Sequence, residues 1–353
     1  MSADDVPPVT ASKLTLSDRR VHLPVDEALK MTAAILGEAG LADDIASAVA
    51  EHLVDAELSG VESHGVVRVI QYAKQLASGY LNPDARASLG FAENGLPWLD
   101  GQGGIGIPAM HLAMEHLCDM ASGTGMAVLP VRNVGHTGRI GAFAEFAAMR
   151  GMLIIIIGGG GRQNWRQAAP FGGRKAILPT NPYCMAIPGG ERGPVVIDFA
   201  TSMIAGGWIH SARTAGALVP EGSIIDANGC ASRDPQAYFD GGAILPKGGP
   251  MGYGLAVMAE MICDAMLGPA ATECNWLTLA IDTSRYRRSD VMQTAAEEIL
   301  SEIRACPPAS GFTHVAVPGE RERDARSAGL AQGLFLPERT LAAIRKLASS
   351  VGK

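Results

Sequence analysis

Gly101-Gln102-Gly103-Gly104-Ile105-Gly106 spells G-x-G-x-x-G, and whether that run wraps a pyrophosphate decides the fold. In a doubly wound dinucleotide-binding unit these glycines would follow a strand, open a helix and bring backbone N–H groups to the phosphates. The flanking residues argue otherwise. Trp98-Leu99 is barely a strand, and the next acid, Asp119, falls inside the helix opening at Pro108. A dinucleotide fingerprint wants that acid at the end of the next strand, here near Val131 or Arg132. The run is read as a glycine-rich turn.

Outward from that turn, short apolar runs alternate with glycine-rich breaks: Met126–Val131, Met152–Ile157, Val195–Phe199 and Leu277–Ile281 read as strands. Helices lie between some of them, over Pro108–Ala121 and Gly141–Arg150. Before residue 86 the texture is helical. Val25–Ala39 ends at Gly40, and Asp43-Asp44 opens a second helix with Ile45, Val49 and Leu53 in register. Asn82-Pro83-Asp84 then breaks the chain. Near the other end, Val291, Ala295, Ile299 and Ile303 share one helical stripe, Pro307, Pro308 and Pro318 punctuate an extended stretch, and a closing helix starts about Glu338. The chain reads as a mixed α/β protein.

Composition narrows the function. The 353 residues are 18% charged and 47% hydrophobic, with a net charge of −7. No basic block offers itself to nucleic acid. The longest apolar run, Met152–Ile157, is too short to span a membrane. Six scattered cysteines without a C-x-x-C pair fit reduced thiols, and the polar start, which lacks the apolar core of a signal peptide, reads as a disordered arm. A cytoplasmic protein is expected. No histidine pair has zinc-ligand spacing, so no metal site is expected.

Glu62-Ser63-His64-Gly65-Val66-Val67-Arg68 delivers a hydroxyl, an imidazole and a guanidinium within a few residues, with Tyr72 one helical turn beyond Arg68. Arginine can hold a carboxylate and histidine can move a proton near neutral pH. A surface helix start with a satisfied histidine has the same appearance. His136, between Gly135 and Gly138 in a loop after a strand, has the setting of a general acid or base. Gly158–Gly161, at the end of the Met152–Ile157 strand, would let a ligand approach the backbone or form a mobile loop. Asp198, at a strand end before Phe199-Ala200-Thr201-Ser202, could hold a ribose, orient an imidazole or cap a helix.

Together these segments resemble the type-2 malate/L-lactate dehydrogenase family. The match runs in order from about Ala33 to Pro318-Gly319-Glu320. Its anchors include Ser63-His64-Gly65 with Arg68 and Tyr72, Pro170-Phe171-Gly172-Gly173, Thr180-Asn181-Pro182, Asp198–Ser202, Pro220-Glu221-Gly222 and Gly252-Tyr253-Gly254-Leu255. The resemblance implies a non-Rossmann fold with a largely antiparallel cofactor-binding sheet and a helical domain built from both chain ends. The implied division is a disordered arm at 1–20, a helical domain at 21–85, a cofactor- and substrate-binding α/β region at 86–290, and a segment at 291–353 packing back on the helical domain.

It further implies an NADH- or NADPH-dependent reductase of small 2-oxo or cyclic 2-imino carboxylates, acting as a homodimer. Carried over by position, His136 is the acid/base, His64 belongs to the substrate pocket and Arg68 anchors the carboxylate. Ser63, Tyr72, Thr180 and Asn181 fall on the substrate side. Gly158, Gly159, Pro182, Asp198, Phe199, Ala200, Met251 and Gly252 fall on the cofactor side. The chain departs from the family pattern where lysines are usual, carrying Met251 and Trp208. It also departs at Gly158–Gly161, which brings extra residues including Trp165, and in a shortened stretch between Gly268 and Leu277. Two lost cations and two added aromatics favour a less anionic or more hydrophobic substrate than malate. The alternative is a relative that has lost catalysis and binds a ligand or partner.

Overall fold

The computed structural model describes residues 19–351. The expected N-terminal arm lies outside that range except for Arg19 and Arg20. β1 (Arg20–Leu23) leads into α1 (Val25–Glu38) and α2 (Asp43–Leu58), each opened by two acidic residues where a helix N-terminus favours negative charge. A 3-10 turn at Glu62–His64 passes the chain to α3 (Arg68–Ala77), whose buried side carries Arg68, Val69, Tyr72 and Leu76. β2 (Ser88–Phe91) and β3 (Pro97–Asp100) form an antiparallel pair; α4 (Gly106–Thr124), β4 (Met126–Val134), α5 (Ile140–Met149) and β5 (Met152–Gly159) follow.

β6 (Pro182–Ile187) and β7 (Val195–Ala200) extend the sheet before α6 (Gly206–Ala215). A small lobe then holds β8 (Ile224–Ile225), β9 (Ala231–Ser232), α7 (Pro235–Phe239) and β10 (Ala243–Ile244), its three strands in the order β10-β8-β9. α8 (Pro250–Glu260) runs on through a π-helical turn, Met261–Met266, to β11 (Cys274–Asp282). α9 (Ser289–Ala305), α10 (Glu320–Gln332), β12 (Leu334–Pro337) and α11 (Glu338–Val351) complete the described chain. β12 pairs with β1, α10 lies on α2, and α11 packs against α1 and α3.

The main sheet has the order β2-β3-β4-β11-β5-β6-β7 and is antiparallel throughout except between β3 and β4. α4 and α5 cover one face, burying Leu129, Val131, Ile154, Ile156, Cys184 and Ala186. Alternate residues point to the other face.

One expectation needs correcting, and one helical stripe faces solvent. Pro97–Asp100 is a true strand, so the glycine run does sit in a strand–turn–helix–strand unit, with β3 parallel to β4. In α9 the stripe Val291, Ile299 and Ile303 faces outward, and Leu300 is the buried residue. The register of an amphipathic stripe says which residues share a face, not what lies against it.

Candidate active site

The glycine run holds a histidine rather than a phosphate. Gly101 N–H donates to the Arg132 carbonyl (2.9 Å), Gly103 N–H to Asn133 (2.8 Å) and Gly106 N–H to His136 (3.0 Å). Gly135 N–H returns a bond to the Gly104 carbonyl (2.8 Å). The donors that would cradle a pyrophosphate are thus spent on the loop between β4 and α5. A Cβ on Gly106 would lie 2.5 Å from Thr137 Cγ2 and 2.6 Å from the Gly135 carbonyl, so only glycine permits this approach.

That loop presents His136. Its Nδ1 accepts a hydrogen bond from the Tyr72 hydroxyl (2.6 Å) and another from the Gly138 N–H (3.2 Å). A backbone N–H only donates, so Nδ1 carries the lone pair and the neutral ring bears its proton on Nε2. Burial first, then the positive charge of Arg68 and the neighbouring His64, hold the His136 pKa well below its ordinary 6.5. The His64 ring stacks on it, with centroids 5.3 Å apart and planes 23° from parallel. His64 Nδ1 lies 2.8 Å from Ser63 Oγ.

Arg68 is buried, and burial lowers its pKa against the opposing influence of Tyr72 and Glu273. Its Nε donates to the Ser63 carbonyl (2.6 Å) and its Nη1 to Gln71 Oε1, which leaves Nη2 beside Gly207. The guanidinium is therefore aimed by the turn that carries His64. Gln71 and Gln75 in turn donate to Glu273 Oε1, at 3.3 and 3.2 Å.

These groups line a cavity of about 580 Å³. His136, His64, Arg68 and Ser63 form one side of its lining, and Thr180, Pro182, Asp198, Phe199 and Ala200 also belong to it. Asp198 additionally accepts the Gly141 N–H (2.8 Å), so it caps the start of α5. Tyr72 stands behind His136 rather than in the cavity. Asn181, Gly158, Gly159, Met251 and Gly252 do not line it. Asn181 donates to Glu260 Oε1 (2.6 Å) inside the protein, and Gly160 N–H donates to the same oxygen (2.9 Å). The faces of Gly158 and Gly159 are closed by Trp276 and the Ala259 carbonyl, and Met251 is exposed. The four glycines there serve packing.

Other residues of the lining escaped the sequence reading. Lys247, Arg139, Arg213 and Glu273 contribute charge to it. Lys247 Nζ lies 5.9 Å from the centre of the Phe199 ring. The only sequence signal was a lysine four residues ahead of Met251, close to where the family pattern carries one. Among the described residues no group of His, Cys, Asp and Glu could hold a metal, and no helix is long and apolar enough to cross a membrane.

A dinucleotide fits this donor set. Lysines and arginines outnumber carboxylates along the lining, although the whole chain is acidic. Gln167 Oε1 and Ser211 Oγ, on residues that line the cavity, are buried without a hydrogen-bond partner among the described residues, as groups reserved for a ligand would be.

The class defined by this sheet and cavity agrees with comparison against known proteins. A family model described as malate/L-lactate dehydrogenase matches residues 23–345. The Pseudomonas putida Δ1-pyrroline-2-carboxylate/Δ1-piperideine-2-carboxylate reductase is 30% identical over 341 residues, covering 93% of this chain and 97% of that one. The L-sulfolactate dehydrogenase of Methanocaldococcus jannaschii is 33% identical over 306 residues, covering 83% and 87%. The crystal structure of a dehydrogenase from Sinorhizobium meliloti superposes with a TM-score of 0.83 at 30% identity, covering 94% of this chain and 99% of that one. The protein is an NAD(P)-dependent oxidoreductase. It belongs to the malate/L-lactate dehydrogenase family.

Proposed function

We propose that the protein reduces C2 of a small 2-oxo or cyclic 2-imino carboxylate with NADH or NADPH. The observation that carries this reading is the convergence of His136, His64 and Arg68 on one cavity that also takes in the Asp198-Phe199-Ala200 strand end. Pro182, Asp198, Phe199 and Ala200 would hold the cofactor, with Lys247 and Arg139 supplying positive charge to its phosphates and Thr180 on the substrate side. The bound nicotinamide supplies the hydride. Arg68 Nη2 holds the substrate carboxylate and thereby fixes C2. His136 Nε2–H, directed outward because Nδ1 is taken, donates to the oxygen of a 2-oxo substrate as negative charge develops there, and in a protonated imine it only lines the site beside C2. His64, stacked on His136, positions the same atom. Tyr72 acts through His136 and is a positioning residue.

The test offers pyruvate, oxaloacetate, Δ1-pyrroline-2-carboxylate and Δ1-piperideine-2-carboxylate with each nicotinamide and follows loss of absorbance. Turnover of at least one is expected, and that of a 2-oxo acid should fall about 100-fold or more in His136→Ala. If no substrate is turned over and neither cofactor's fluorescence changes on binding, the chain is the non-catalytic relative instead.

A further inference from the structure

We propose that Glu273 selects the substrate of this site: it accepts an N–H from a nitrogen-bearing 2-imino carboxylate and repels a second carboxylate. The inference rests on the reductase reading and narrows it.

The two stretches of sequence that depart most from the family pattern pack on each other. Ala270 N–H donates to the Gly160 carbonyl (3.0 Å), and a Cβ on Gly160 would lie 2.8 Å from the Cys263 carbonyl. A Cβ on Gly161 would overlap the carbonyl of Glu273 itself. The glycines therefore make room for the shortened segment, and that segment ends by placing Glu273 in the cavity lining at the start of β11.

Glu273 is held there by one oxygen only. Oε1 accepts from Gln71 and Gln75, neighbours on one face of α3, while Oε2 makes no hydrogen bond within the described residues. Gln71 also accepts from Arg68 Nη1, so guanidinium and carboxyl stand at the two ends of one short hydrogen-bond chain; burial pushes the Glu273 pKa up, against the Gln75 hydrogen bond and the Arg68 charge, which favour the carboxylate. Trp208 and Trp165 add apolar surface to the same lining. A guanidinium for the carboxylate, an acceptor for N–H and aromatic walls for ring methylenes together match a cyclic imino acid. A dicarboxylate such as oxaloacetate would set its second carboxylate against Glu273, a repulsive element that discriminates between substrates.

The chemistry of the step agrees. An iminium enters with its proton on nitrogen. As hydride adds to C2, the C=N π pair becomes the nitrogen lone pair and a neutral secondary amine results. No proton has to come from His136, which this protein keeps neutral. A 2-oxo acid, by contrast, ends as an alkoxide that must be protonated.

The test measures kcat/KM for Δ1-piperideine-2-carboxylate and for oxaloacetate in the wild type and in Glu273→Gln. The wild type should favour the imine by about 100-fold or more. In the variant the imine value should fall about tenfold while the oxaloacetate value rises. A variant damaged only in folding would lose both together, so parallel loss, or an unchanged ratio, overturns the proposal. Calorimetric binding of L-pipecolate and L-malate to the same two proteins separates this proposal from the reductase reading. If nothing is turned over but pipecolate binds tighter to the wild type than to the variant, Glu273 keeps its role and the reductase reading fails. Equal binding to both proteins removes the role of Glu273 whatever the turnover.

Discussion

Burial shifts the ionisable residues around the Ser63-His64 turn in opposite senses. His52 accepts the Arg139 N–H on Nε2 (2.9 Å) and stacks on Phe143; burial, then His111, lowers its pKa to about 3. With His136 it is neutral in the fold and charged in the unfolded chain below about 6.5. The stability both contribute is present above that pH and is lost as pH falls. Glu57 behaves oppositely. Its Oε2 accepts the Val66 N–H (3.0 Å), and burial, then Glu62, raises its pKa to about 8. It enters the fold protonated, so its contribution is complete below about 4.5 and is lost as pH rises through 8. Glu57→Gln keeps the acceptor for Val66 and cannot ionise. Its melting temperature should exceed that of the wild type by a few degrees at pH 8.5 and match it at pH 5. Equal differences at both pH values would show that Glu57 is not held protonated.

At the scale of elements, the link between the glycine run and the His136 loop makes its own prediction. Gly106→Ala places a methyl against Thr137 and the Gly135 carbonyl and should displace His136. Turnover should fall at least tenfold while the dissociation constant of the nicotinamide stays within about threefold. A run that cradled phosphate would give the reverse pattern, with weakened cofactor binding. The sequence made the turn legible as something other than a phosphate loop, although one of its two arguments failed. Pro97–Asp100 is a strand because β4 pairs with it, and a four-residue run carries too little pattern to announce that. The central strands were readable for the opposite reason. Met152–Ile157 lies between two partner strands, with one face buried under α5 and the other half-buried, so both faces carry apolar residues and the run is continuous. α10 went unread because ERERDARSAGLAQ has no apolar period; its place on α2 comes from Ala325 and from ion pairs such as Arg326–Asp55. In the site, His136, His64 and Arg68 were visible through local glycine and histidine patterns. Glu273 and Lys247 were not, because each reaches the cavity only through contacts between segments distant in sequence.

On the scale of the whole molecule, the sheet face opposite α4 and α5 is covered by helix, among the described residues, only beside the ends of β5 and β11, by α8 and its π-helical extension. Val128, Leu279, Ile155, Met185 and Ile197 are direct cross-strand partners on β4, β11, β5, β6 and β7, so all five project to that face as one apolar row. Val128 is 42% exposed and Ile197 37%. α8 and its π-helical extension, packed beside β5, add Met258, Met261 and Met266, each more than half exposed. A continuous apolar surface across five strands needs cover. A second copy of the chain would supply it with no further partner, the homodimer that the family resemblance leads one to expect. Light scattering on the purified protein at micromolar concentration should give twice the mass of one chain. Val128→Glu combined with Ile197→Glu puts charge where a single chain is already open to water, so each chain should still fold. The pair would instead bury charge in a dimer without compensation, and the mass should drop to that of one chain with the circular dichroism spectrum unchanged. A wild type that is monomeric, or a double variant that remains dimeric, would leave this face without the role assigned to it.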